Sequence, residues 1–190
     1  YENPGKTSGA YSWGAYGAHP YVLLNYEKTL DSLFTLAHEL GHSMHTYYSN
    51  QNQSYLNSDY PLFLAEIAST TNEAIVLEQL KKKLTQKQQL MALCNYQLEQ
   101  MRGTVYRQTL FAEFEREIHR MAMRGEALTC QALTDVYRRL NQVYYKGVEI
   151  DDDIAIEWMR IPHFYRAFYV YQYATGFSAA VAFSRRVLSG

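Results

Sequence analysis

From Thr29 to the end of the chain, apolar residues recur three and four apart almost without a break. That spacing puts them on one face of successive α-helices and commits most of the 190 residues to helix packed on helix. Only the opening reads differently. Residues Tyr1 to His19 are rich in Gly, Ser and aromatic side chains, with Pro4 and Pro20 as punctuation. The runs 9–13 and 21–26 have the composition of short strands. The expected architecture is one mainly α-helical unit over 1–190, with loop and short strands over 1–28 and helix over 29–190.

Local signals divide the helical part. Asp31 is placed to cap or charge the first turn of a helix running to about Tyr48, whose apolar face carries Leu33, Leu36, Ala37, Leu40 and Met44. A polar loop, 49–59, follows. Pro61 suits the first turn of a second helix carrying Phe63, Ile67, Ala74 and Leu77. A third long helical stretch covers 86–124, and Thr129 opens a fourth helix. Asp151-Asp152-Asp153 precede a short fifth, as acidic residues favour a helix start. Pro162 interrupts the pattern before a last aromatic segment. The runs Lys81-Lys82-Lys83 and Asp151-Asp152-Asp153 read as solvated surface and helix-end charge.

Composition narrows the partners. Hydrophobic residues make up 47% and charged residues 19%, the balance of a folded chain rather than a disordered one. The formal net charge of -1 gives no basis for nucleic acid or an anionic membrane surface as partner. No apolar run approaches the roughly 20 residues that span a bilayer. Cys94 and Cys130 lie in helical patterns, fit no metal or redox spacing, and read as buried free thiols in a reducing compartment.

Within the first helix stands His38-Glu39-Leu40-Gly41-His42, the H-E-x-x-H pattern. Residues four apart on a helix sit one turn above each other, with Cβ atoms roughly 5–6 Å apart. Two imidazoles so placed can bind one zinc ion. Glu39 is displaced about 100° around the helix, beside the metal rather than at it, where a carboxylate can take a proton from a zinc-activated water. Catalytic zinc needs a third protein ligand and one open position. Glu66, on the next helix, has enough intervening chain to return as that ligand. Glu73, seven residues on and on the same face, can orient one of the histidines. His45, one turn past His42, reads as a helix-face residue hydrogen-bonded near the site rather than as a ligand. His19 and His119 have no partners at ligand spacing and read as structural.

Two rival metal patterns fail. A third histidine six residues after the second is required by one zinc class, and that position is Tyr48. Di-iron carboxylate bundles need two E-x-x-H motifs, and only Glu39–His42 supplies one.

With these residues in view, the chain resembles the oligoendopeptidase F branch of the M3 family of metallopeptidases. The resemblance runs from Ser8-Gly9-Ala10-Tyr11 through the stretch 34–45 and Glu66-Ile67-Ala68-Ser69-Thr70. It continues in Ile161-Pro162-His163-Phe164-Tyr165 and in 168–176. It implies a zincin-type metallopeptidase catalytic core with a small β element near its N-terminus, binding one Zn2+ per chain and cutting short peptides internally in the cytoplasm. It also implies that this chain is the C-terminal catalytic part of a longer polypeptide, whose missing N-terminal part is its partner in forming a substrate channel.

Negative charge builds on the carbonyl oxygen during attack, and preorganised donors stabilise it. After Pro162 come His163, Tyr165, Tyr169, Tyr171 and Tyr173, with Tyr169 and Tyr173 spaced for one helical face. The resemblance implies that a histidine followed by tyrosines in this region meets the substrate carbonyl, which selects His163 and Tyr169 first and Tyr173 next. The extended stretch around Gly9, Ala10 and Tyr11 is a candidate edge strand for pairing with substrate backbone, or else a structural hairpin. Two other readings stay open. One is a zinc carboxypeptidase on a similar helical scaffold, which would need a cationic pocket for a free carboxylate. The other is a non-catalytic peptide-binding protein with a structural zinc.

Overall fold

The computed structural model describes Asn3, Gly5 and residues 9–190. Ser8, the start of the expected strand segment, lies outside the described residues. The described chain is mainly helical with one two-stranded sheet, and it divides into two compact units: residues 1–96 with 176–190, and residues 97–175.

In the first unit, β1 (Ala10–Trp13) pairs antiparallel with β2 (Tyr21–Leu24), Ala10 opposite Leu24 and Trp13 opposite Tyr21. Strand side chains alternate between faces. Tyr11 and Trp13 are therefore exposed, while Ser12 turns to helix α1 (Leu30–Asn52) and places its Oγ 2.8 Å from Ser43 Oγ. Thr29, rather than Asp31, caps α1: its side chain accepts from the Ser32 N–H at 3.1 Å, and Asp31 sits in the first turn. Helix α2 (Leu62–Lys83) opens immediately after Pro61 and ends on Lys81, Lys82 and Lys83, where cations suit the negative end of the helix.

Phe34 of α1, Leu77 of α2 and Leu93 of α3 (Lys87–Met101) form the core of this unit, with the Tyr96 ring stacked 4.5 Å from Phe34. The buried stripe of α1 is Phe34, Ala37 and Gly41, whereas Leu40 and Met44, expected on the apolar face, are 45% and 46% exposed. The stripe is set by where α2 and β1 approach, which periodicity alone does not specify.

In the second unit, the expected single helix over 86–124 is broken by one π-helical segment, Arg102–Tyr106, between α3 and α4 (Arg107–Met123). Helix α5 (Cys130–Tyr144) is capped by Thr129 and the short α6 (Asp152–Ala155) by Asp151, whose Oδ1 accepts from Ile154 N–H at 2.8 Å. Leu110, Phe111 and Phe114 of α4 pack with Val136, Tyr137, Ile161 and Val170 into a second core. Helix α7 (Tyr171–Ser189) begins in this unit, and its residues from Gly176 on belong to the first.

The cysteines correct their expectation, because Cys94 and Cys130 are both free and exposed. Leu93 takes the core position on α3, and Cys130 occupies the first residue of α5. Among the described residues no helix is long and apolar enough to cross a membrane.

Candidate metal centre

The centre is built by α1 and α2 crossing at unusually close range. At Gly41 a Cβ would lie 2.6 Å from the Ser69 Cα and 3.2 Å from the Ala68 carbonyl oxygen, so only glycine lets the two backbones meet there. Ser69 is fully buried, and its hydroxyl is satisfied within α2 by the carbonyls of Ala65 and Glu66. Asn72 Nδ2 donates to the Ala37 carbonyl at 2.6 Å, stapling α2 to α1 one residue before His38. Gly41→Ala should push the helices apart. Overpacking of this kind costs about 1–3 kcal/mol, readable as a lowered denaturant midpoint. Zinc affinity should fall by about tenfold or more as Glu66 recedes, and an unchanged affinity would show that the close crossing does not hold the site.

The crossing brings the expected donors together. His38 Nε2 and His42 Nε2 lie 3.1 Å apart, His38 Nε2 is 3.6 Å from Glu66 Oε2, and His42 Nε2 is 4.0 Å from Glu66 Oε1. Ligands at the corners of a tetrahedron with zinc–donor bonds near 2.05 Å stand roughly 3.3 Å apart, so this spacing suits a single ion. Behind the site, His38 Nδ1–H donates to Glu73 Oε1 at 2.6 Å. That bond fixes the tautomer and leaves the Nε2 lone pair for a cation, the carboxylate–histidine arrangement typical of zinc ligands. The donor set of two imidazoles and one carboxylate fits zinc and supplies three of four tetrahedral positions.

Burial and the neighbouring charges shift each of these groups. Burial, with the charge of His38 and the neighbouring His45, pushes His42 down to about 4, so it is a neutral donor near pH 7. For His38, burial works downward, but the hydrogen bond and charge of Glu73, with Glu66 and Glu39, outweigh it and raise the value. Burial raises Glu66, against the opposing pull of His38. Glu39 is only 7% exposed, and burial raises its carboxyl above the usual range against the His38 charge and a hydrogen bond from the Ser12 backbone N–H. A carboxylate that holds a proton more firmly than usual is better matched to taking one from water.

The remaining expected residues sit as follows. His45 lies outside the ligand group: its ring stacks on Tyr60 at 3.9 Å, and its buried Nδ1 has no hydrogen-bond partner among the described residues. Gly9 precedes β1 and its carbonyl accepts from Asn25 Nδ2, while Ala10 and Tyr11 lie on β1, whose second edge pairs with no strand among the described residues.

In the second unit His163, Tyr169 and Tyr173 form a cluster of their own. The His163 ring lies 5.8 Å from Tyr169 and 5.9 Å from Tyr173, and the Tyr173 hydroxyl is 3.4 Å from that of Tyr169. The sequence reading missed Ser12, Gly41, Asn72 and Glu115 as individual positions. Only Glu115 left a signal, a carboxylate beside the apolar stripe of Leu110, Phe111 and Phe114.

A cluster of two histidines and one glutamate able to hold a metal ion, with a flanking acid, on a helical fold with a small sheet, is the arrangement of a metallopeptidase-like core. Residues 1–190 match Peptidase family M3, and the chain belongs to that family. It is 53% identical over 189 residues to oligopeptidase PepF of Bacillus subtilis, covering 99% of this chain and 28% of that protein. It is 51% identical over 190 residues to an oligoendopeptidase F homolog of Lactococcus lactis, covering all of this chain and 32% of that one. The crystal structure of oligoendopeptidase-F from Enterococcus faecium matches with a TM-score of 0.73 and 46% identity, over 84% of this chain and 29% of that chain. A Chlamydophila abortus crystal structure matches with a TM-score of 0.87 and 46% identity, over 100% of this chain and 32% of its own. The chain thus spans about a third of the length of the curated relatives it matches.

Proposed function

We propose that this chain carries the chemistry of a zinc-dependent endopeptidase that hydrolyses internal bonds of short peptides. The observation that carries the reading is the convergence of His38, His42 and Glu66, with Glu39 buried alongside and Glu73 bonded behind. When bound, zinc acidifies water toward a pKa of about 7 and polarises a carbonyl. His38, His42 and Glu66 would hold it. Glu39 receives the proton of the attacking water and returns it to the leaving nitrogen. The backbone of β1 around Gly9, Ala10 and Tyr11 pairs with extended substrate, and His163, Tyr169 and Tyr173 donate to the oxygen on which charge develops. The rest of a longer polypeptide completes the substrate channel, and the setting is peptide turnover in the cytoplasm.

Carboxypeptidase action, the rival, needs a cation free to meet a terminal carboxylate. Arg160 is engaged by Glu157, and the Arg166 guanidinium lies over the Tyr169 ring at 5.8 Å. The deciding experiment gives the zinc-loaded full-length protein peptides of equal sequence, blocked at both ends or free at the C-terminus. Internal cleavage of the blocked peptides, abolished by chelation and restored by zinc, is the expected result. Release of C-terminal residues from the free peptides alone would establish the carboxypeptidase instead.

A further inference from the structure

We infer that Glu115 is a positioning residue for the cluster of His163, Tyr169 and Tyr173, acting through the backbone of Phe168. The inference rests on the reading above that these tyrosines donate to the substrate oxygen. Glu115 is 2% exposed, on the core-facing side of α4 beside Phe111 and Phe114. A buried carboxylate is costly unless it is partnered, and an apolar residue would serve packing alone better. Its partner is the Phe168 backbone N–H, which donates to Glu115 Oε1 at 2.6 Å.

Phe168 is left-handed at φ 58, a conformation that a bulky L residue holds only when its surroundings enforce it. Two contacts do so. Glu115 takes the N–H, and the Phe168 ring packs 4.6 Å from His119, itself fixed by Nδ1–H donating to the Glu115 carbonyl at 2.7 Å. On the other side of Tyr169, Val170 is fully buried in the core with Leu110 and Phe111. Tyr169 is thus held between two pinned residues, with its ring against His163 and its hydroxyl near that of Tyr173. Without the carboxylate, Phe168 loses its buried acceptor and can relax to negative φ, which swings the Tyr169 side chain away.

The test is a double-mutant cycle in the zinc-loaded full-length protein, with kcat and KM measured separately. Glu115→Ala should lower kcat by about tenfold or more with KM nearly unchanged, because a misplaced donor is missed mainly in the transition state. Glu115→Gln keeps a carbonyl oxygen for the same N–H and should recover most of the loss. In a Tyr169→Phe/Tyr173→Phe background, Glu115→Ala should change kcat less than about twofold, since the hydroxyls it positions are gone. Amide hydrogen exchange at Phe168 and Tyr169 should accelerate in Glu115→Ala. If that variant does not fold, Glu115→Met keeps the core filled and replaces it throughout.

Equal kcat losses in both backgrounds would make Glu115 a stability residue and overturn the inference. So would faster exchange at Phe168 with kcat unchanged. If the double Phe variant itself keeps the parent kcat while Glu39→Gln is inactive, the oxyanion assignment fails and takes the inference with it, leaving the zinc peptidase reading standing.

Discussion

Glu39→Gln in the full-length protein should retain zinc and bind peptides while turnover falls by about 10²–10⁴, the usual scale for a positioned acid–base group. The substitution keeps shape and a hydrogen-bonding oxygen but removes the ability to accept a proton near neutral pH. Three features of the site support so large an effect. Glu39 follows His38 directly, so helical geometry sets it beside the metal position rather than within it. It is nearly fully buried, and burial raises its carboxyl above the ordinary range. The Ser12 backbone, on strand β1, also interacts with its carboxylate. Zinc content by elemental analysis and peptide binding by calorimetry separate loss of the base from loss of the site. Normal turnover in the Gln variant would show that another group takes the proton.

His42→Ala should leave the chain essentially without zinc, the largest effect expected of any single substitution here. It removes one of three converging donors, and the remaining His38 and Glu66 offer two ligands at 3.6 Å. Glu73→Gln sets the comparison. It weakens the partner of His38 Nδ1 without touching a donor, and such outer contacts are worth about 10–100-fold in affinity. His45→Ala should keep full zinc, because its ring lies on Tyr60 rather than among the donors. Full metal content in His42→Ala would sink the ligand assignment, and a loss in His45→Ala equal to that in His42→Ala would make His45 a ligand.

These expectations differ in how early they could be read. The pairing of His38 with His42, and the offset of Glu39, follow from the 3.6-residue turn and were legible before any tertiary contact was known. Glu66 and Glu73 were legible one step later, because seven residues on a helix return nearly to the same face, so Glu66 in reach of the metal leaves Glu73 in reach of a histidine. The helix starts at Thr129 and Asp151 were equally local, each set by a side chain three residues from the N–H it accepts.

What the sequence by itself determined, then, are features governed by contacts within about one helical turn: the helical class, the caps, and the H-E-x-x-H constellation. Only the tertiary structure decided which faces are buried and how close the elements come. Gly41 meets Ser69 across 28 residues, Ser12 reaches Ser43 across 31, and Phe168 reaches Glu115 across 53. The same distant packing left Cys94, Leu40 and Met44 exposed and turned His45 toward Tyr60. A helical period specifies that a stripe exists; which stripe is covered depends on partners whose arrival costs chain entropy and is settled by the sum of all contacts made at once.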